Sequence, residues 1–201
     1  MSDRASSSSD TKERILNAAE GIMLEKGFNG VGLNEVLKAV GVPKGSFYHW
    51  FPSKEQFGVE LIRHYSKEAT ACKQRWLSKK DTLPNAVERL VAFCEWAISK
   101  FLENDCHQLC LIVKLSMEVA SFSEPMRHIL AEGVREWESL YEALILEGQA
   151  QGSIEKTLDP KNTAAIIGDV WLGANSRAVV FKSAEPLRQA VAFLRKYLSS
   201  H

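Results

Sequence analysis

Gly41 and Pro43 stand two positions apart between two short helical stretches, and that punctuation constrains the chain more than any other feature. Upstream, Leu33, Val36, Leu37 and Val40 recur at i, i+3, i+4 and i+7, which marks one face of a short helix. Gly41 can take the left-handed backbone that ends a helix in a tight turn. Pro43 suits the start of the next helix because it has no amide to leave unpaired. That next helix, Lys44 to about Trp50, carries Lys44, Ser46, Tyr48 and His49 among its polar groups. Two short helices joined in this way predict a helix-turn-helix, whose second helix can enter the major groove of DNA.

Charge supports a local contact. From Met1 to Thr70 there are nine basic and nine acidic residues. Between Glu35 and Glu55, however, there is no acid, while Lys38, Lys44 and Lys54 fall inside the gap. The positive charge is concentrated around the reading helix, where phosphates would lie. A formal net charge of +0 over 201 residues is not that of a nonspecific nucleic-acid coat.

Gly41-Val-Pro-Lys-Gly-Ser-Phe-Tyr-His-Trp-Phe51, followed by Ser53-Lys-Glu-Gln-Phe57, resembles the signature of the TetR family of transcriptional repressors. The resemblance is carried by residues 41–57. It implies a DNA-binding head on a larger helical core, a dimer, a palindromic operator and release by a small molecule.

The remaining sequence reads as helix throughout. Asp10-Thr-Lys-Glu13 and Ser53-Lys-Glu-Gln56 are capping boxes. Gly27 stops the first helix. Further helices are expected from Pro84, over Cys106 to Val119, from Met126 to about Gln151, from Pro160 to about Lys182, and from Glu185-Pro186 to about Leu198. The expectation is an all-α chain of about nine helices: a disordered arm over 1–9, a helix-turn-helix domain over 10–52, and a regulatory and dimerisation domain over 53–201. No window approaches the ~18 uninterrupted apolar residues of a membrane span. The serine-rich start lacks the apolar core of a secretory signal. Four irregularly spaced cysteines fit reduced thiols, so a cytoplasmic location is expected.

Within the head, Lys44 and Gly45 sit where a recognition helix meets base edges, and Gly45 permits close backbone approach. Ser46, Tyr48 and His49 lie along the same helix. Lys54 stands at a helix N-terminus, and Asn34 or Thr11 can add a phosphate contact. Phe28, Leu33, Phe47 and Phe51 are expected to form the head core.

Dimerisation is expected through the last two helices. Ala164, Ala165, Gly168, Gly173, Ala174 and Ala178 would allow close approach, and Leu187, Val191, Leu194 and Leu198 would line the partner.

Gln108-Leu-Cys-Leu-Ile-Val-Lys-Leu-Ser-Met-Glu-Val119 resembles the electrophile-sensing branch of the family, which includes N-ethylmaleimide-responsive and acrylate-responsive repressors. The resemblance implies that Cys110 is a sensing thiol, able to add to an electrophile or to be oxidised. Lys114 lies one turn beyond it. Cys106 lies one turn before it if the helix extends that far. The N-ethylmaleimide-responsive members have a lysine on the eighth helix that partners the sensing cysteine. Here the position holds Val179, with Lys182 further on, so no lysine–cysteine link is implied. Cys106, His107 and Cys110 fall short of a zinc set, and neither a metal nor a cofactor is expected. Trp96, Phe101, Met117, Trp137, Tyr141 and Trp171 are candidates to line a reversible ligand site. The main alternative is a thiol-dependent detoxification enzyme with Cys110 as nucleophile; an activator or nucleoid-type binder is a third possibility.

Overall fold

The computed structural model describes residues 3–107 and 110–199, and among them nine α-helices and no strand. In chain order these are α1 Asp3–Lys26, α2 Leu33–Val40, α3 Lys44–Trp50, α4 Lys54–Leu77, α5 Ala86–Glu103, α6 Leu111–Val119, α7 Glu124–Gln151, α8 Pro160–Phe181 and α9 Glu185–Leu198.

Most boundaries have a local cause. Gly41 ends α2 at φ +66°, and its amide reaches back to the Leu37 and Lys38 carbonyls. Gly27, at φ +76°, ends α1. Ser53 Oγ accepts from the Gln56 amide at 3.0 Å and so caps α4. Asp159 accepts from the Asn162 amide at 2.7 Å at the start of α8. The cap of α5 is Asn85 rather than Pro84, with its side chain accepting from the Val87 and Glu88 amides. A larger departure concerns α1, whose backbone is helical from Asp3, seven residues before the expected capping box. No Pro or Gly interrupts 3–9, and an existing helix extends at one hydrogen bond per residue ordered. Met1 and Ser2 of the expected arm lie outside the described residues.

The chain divides into two compact units that do not coincide with a break at residue 52. One comprises Met1–Lys67 with Cys110–Ala131, and the other Glu68–Leu109 with Glu132–His201. Helices α4 and α7 contribute to both, and α6 belongs wholly to the first.

The first unit buries Ile15, Leu16, Ala19 and Met23 of α1 with Phe28, Val36, Leu37, Phe47, Phe51, Leu61 and Ile62. Phe47, Phe51 and Phe57 form an aromatic triangle with ring centres 4.9, 5.1 and 5.3 Å apart. Polar ties complete it: Lys12 to Glu60 at 2.9 Å, Arg14 to the Val40 carbonyl at 3.1 Å, and Lys26 to Glu35.

In the second unit, Val87, Leu90, Val91, Cys94 and Ile98 form the buried stripe of α5. The stripe of α9 (Leu187, Val191, Leu194 and Leu198) is buried within this same chain, at 0–6% exposure. It therefore does not face a partner. The periodicity marks a buried face, and α5 and α8 are the helices that cover it. The small residues of α8 divide similarly: Ala164, Ala174 and Ala178 are buried inside the unit, whereas Gly173 is exposed.

Candidate nucleic-acid interface and sensor segment

Gly41 reverses the chain after α2, and Pro43, extended at φ −62° and ψ 145°, starts α3. The apolar side of α3 is Phe47, fully buried in the aromatic triangle. Anchoring that one ring turns the rest of the short helix outward: Lys44, Gly45, Tyr48 and His49 are exposed and Ser46 is half-buried. Tyr48 packs its edge on Phe47 at 5.5 Å between ring centres while remaining 48% exposed, so its hydroxyl projects from a fixed ring. An open recess on this face is lined by Thr11, Gly45, Ser46, His49 and Trp50. Trp50, which the sequence left without a role, stands edge-on to His49 at 4.7 Å and orients that imidazole. Asn34 is exposed at the start of α2.

Lys54 is engaged differently from expectation. Its Nζ donates to the Val31 carbonyl at 2.8 Å and lies 4.8 Å from the centre of the Phe28 ring. A lysine placed there by sequence alone reads as a phosphate ligand. In the structure its first contacts hold the loop between α1 and α2 to α4, leaving Lys44 the more available cation.

The sensor candidates are not gathered on one helix. Helix α5 ends at Glu103, and Asp105 and Cys106 follow with left-handed backbone at φ 49° and 58°. Cys106 is thus in a turn rather than one helical turn before Cys110. Gln108 and Leu109 of the sensor motif lie outside the described residues. Cys110 is the N-cap residue of α6, half-buried, and its carbonyl accepts from the Lys114 amide at 3.0 Å. Beside it lies Tyr65 of α4, a residue that sequence reasoning missed. Burial, then the charge of and hydrogen bond with Cys110, push the Tyr65 phenol well above its usual value near 10. The phenol therefore keeps its proton at any physiological pH and can donate to a sulfur anion.

Helix α6 is clamped to the end of α1. Glu118 accepts from the Phe28 amide at 2.9 Å and the Asn29 amide at 2.6 Å. Gly27 holds the left-handed backbone at φ +76° that favours glycine, and a Cβ there would stand 2.6 Å from the same carboxylate and displace it from the turn. Ser123, following α6, donates to Glu55 of α4 at 2.6 Å. Both ties lie within the first unit.

Of the proposed ligand-site residues, Phe101, Trp137 and Tyr141 are buried, and Trp96 and Trp171 half-buried. Met117 is 90% exposed on α6 and lines no interior site. An apolar side chain in an apolar run reads as core, yet it falls on the outward face of this helix. Lys73, absent from the expected set, is buried among the aromatics of the second unit.

Two family patterns match successive stretches of the chain. The pattern described as "Bacterial regulatory proteins, tetR family" matches residues 15–61, and "Tetracyclin repressor-like, C-terminal domain" matches residues 86–194. The HTH-type transcriptional repressor NemR of Escherichia coli is 35% identical over 192 residues, covering 95% of each chain. The transcriptional regulator AcuR of Cereibacter sphaeroides is 30% identical over 175 residues, covering 87% of this chain and 79% of that one. The crystal structure of reduced E. coli NemR matches with a TM-score of 0.89 at 34% identity, over 96% of this chain and 98% of that one. A regulatory protein from Rhodobacter sphaeroides matches with a TM-score of 0.86 at 28% identity, over 92% and 97%.

Proposed function

For a chain that belongs to the TetR family of transcriptional repressors, we propose a mode of operator reading, a dimer face and a release mechanism. Membership in a family of repressors displaces the alternative of a thiol-dependent enzyme. The repressor acts in the cytoplasm, where its operator lies.

The observation that carries the reading is α3, anchored by one buried ring and presenting its polar groups outward beside an acid-free stretch of sequence. Lys44, Gly45, Ser46, Tyr48 and His49 contact the major groove and its flanking phosphates, with Asn34 and a secondary contact from Lys54 at the edges. Two heads must reach half-sites about 34 Å apart, which requires a homodimer. Its face is the outward side of α8 and α9. Val180 is 77% exposed, Phe181 60% and Phe193 49%, and a second copy of the chain is the natural cover for such apolar side chains.

Release is assigned to the start of α6. The Cys110 sulfur adds to the β-carbon of an unsaturated carbonyl or maleimide: the S–C bond forms, the C=C bond is lost, and the thiol proton ends on the α-carbon through solvent. Tyr65 supports this by donating to the sulfur anion. Modification at the N-cap of α6 bears on a helix whose other end grips the turn after α1 through Glu118, which favours a head arrangement that no longer fits the operator. Lys114 and Cys106 have subsidiary roles, the first in the charge around the thiol and the second in the preceding turn.

Operator binding at fixed salt, before and after one equivalent of N-ethylmaleimide, tests the scheme. Wild type should release and Cys110→Ser should not; unchanged binding in wild type would remove Cys110 from the mechanism. Lys44→Ala, which removes one phosphate contact from each head of the dimer, should weaken operator binding by at least about tenfold and lower the salt slope by about two. An unchanged slope would show that Lys44 makes no phosphate contact.

A further inference from the structure

The C-terminal end of α6 and the turn after it hold both ends of the helix-turn-helix segment. Glu118, in the last turn of α6, accepts from the Phe28 and Asn29 amides, where the chain leaves α1 to enter that segment. Ser123, just beyond α6 and 2% exposed, donates to Glu55 at 2.6 Å, where the chain leaves the segment for α4. Helices α2 and α3 lie between these two anchors. The ends are also fixed to one another, because Lys54 Nζ donates to the Val31 carbonyl at 2.8 Å. Packing beside the ties is close. A Cβ on Gly58 of α4 would stand 2.5 Å from the Met126 sulfur and 2.7 Å from the Phe28 ring.

This arrangement decides how a movement of α6 travels. A segment tethered at one end can swing about its tether, whereas one held at both ends by the same support is carried with it as a body. The ties are of the stiffer kind. Charge-assisted hydrogen bonds are short and strong, and a carboxylate that accepts from two consecutive amides fixes orientation as well as distance. Within the segment, the packing of Phe47 on Phe51 and Phe57 keeps α3 in place while the whole moves.

We propose that Glu118 and the Ser123–Glu55 pair are positioning residues that make the reading head follow α6. A shift begun at Cys110, the N-cap of the same helix, then reaches the helix-turn-helix at its entry and its exit together. The proposal rests on the reading of the chain as a repressor released through Cys110, and it names the route of that release.

Full-length wild type, Glu118→Ala, Glu55→Ala and the double variant are titrated with operator at fixed salt, before and after N-ethylmaleimide. Peptide mass spectrometry establishes complete labelling of Cys110, and circular dichroism establishes folding. The ratio of operator Kd after labelling to Kd before it sets aside any change in resting affinity. That ratio should be at least about tenfold in wild type, smaller in each single variant and within about twofold of unity in the double variant. Glu118→Gln, which keeps one acceptor, should fall between wild type and Glu118→Ala. Met117→Ala, at a side chain 90% exposed on the same helix, should keep the wild-type ratio. In wild type the Phe28 and Asn29 amides should stay protected from hydrogen exchange before and after labelling. If Glu118→Ala does not fold, Glu118→Gln and Glu55→Ala decide.

A double variant that labels fully and still loses operator as wild type does overturns the proposal and leaves the Cys110 trigger standing. Loss of Phe28 and Asn29 protection on labelling of wild type also overturns it, because the tie would then break rather than carry the head. An equal fall in the ratio for Met117→Ala overturns it too, by showing a general effect of altering α6. Wild type that labels without release defeats the trigger and the proposal together. Failure to bind operator before labelling is instead the failure of the repressor reading.

Discussion

Phe47→Ala is expected to lower the stability of the first unit by about 3–5 kcal/mol and to abolish operator binding, although the ring itself faces away from DNA. The side chain is fully buried and touches Phe51 and Phe57 in the triangle and Tyr48 on its outer side. Helix α3 has only seven residues, too short to hold its form without packing, and Phe47 is its one buried residue. Truncation leaves a cavity at the junction of α3 and α4 and releases the Tyr48 ring from its support. Domains are commonly stable by only about 5–15 kcal/mol, so a loss of this size leaves a substantial unfolded fraction at modest denaturant. Urea unfolding followed by circular dichroism, beside an operator titration, measures both effects. Tyr48→Phe is the matched control, since it keeps the ring packing, removes one exposed hydroxyl, and should alter binding with stability within about 0.5 kcal/mol. Should Phe47→Ala unfold at the wild-type urea midpoint, the triangle would not be what holds the reading helix.

Those two substitutions separate what the sequence reveals from what it conceals. The helix-turn-helix was legible because its signals are local: a glycine that reverses the chain, a proline that restarts it, and a capping serine three residues before the amide it satisfies. The buried stripe of α9 was legible as a stripe, but periodicity does not say what covers it. It packs on α5 and α8 of the same chain, whereas Val180, Phe181 and Phe193 of the same two helices α8 and α9 remain exposed. Lys73 was missed for the opposite reason. A lysine in a helix reads as solvated, and its burial is produced by rings 20 and 64 positions later in the chain. Tyr65 was missed likewise, since its pairing with Cys110 spans two helices. Lys54 was identified as a cation but not as a brace, because its acceptor is a backbone carbonyl that composition does not show.

Arg89→Met should cost about 2–4 kcal/mol, equivalent to roughly 5–15 °C in Tm for a chain of this size. The guanidinium is fully buried. It donates to the Leu83 and Pro84 carbonyls at 3.0 and 2.8 Å, and to Glu147 of α7 at 2.7 Å. One side chain therefore fixes the approach to α5 and pins that helix to α7. Methionine fills much of the volume but leaves two carbonyls without this donor and a carboxylate with a weaker partner, and unmet buried acceptors dominate the cost. The estimate lies below that for a wholly buried pair because Glu147 is 21% exposed and retains Lys80 at 2.9 Å. Lys80 is 61% exposed, so Lys80→Met should fall within about 1 kcal/mol of wild type. Acid titration gives an independent reading. Burial opposes ionisation of Glu147, but hydrogen bonds from Lys80 and Arg89, with their charges, outweigh it and leave its pKa below the ordinary value of 4.5. A carboxylate with a lowered folded value contributes stability that is complete above the unfolded value and is lost as pH falls through the folded one. Wild type should therefore lose this contribution on acidification below about pH 4.5, whereas Arg89→Met, having already lost the part that Arg89 supplies while keeping that of Lys80, should show a flatter acid limb in urea midpoints measured from pH 7 to pH 3. Parallel acid limbs in the two proteins would mean that Glu147 draws its stabilisation from Lys80 alone.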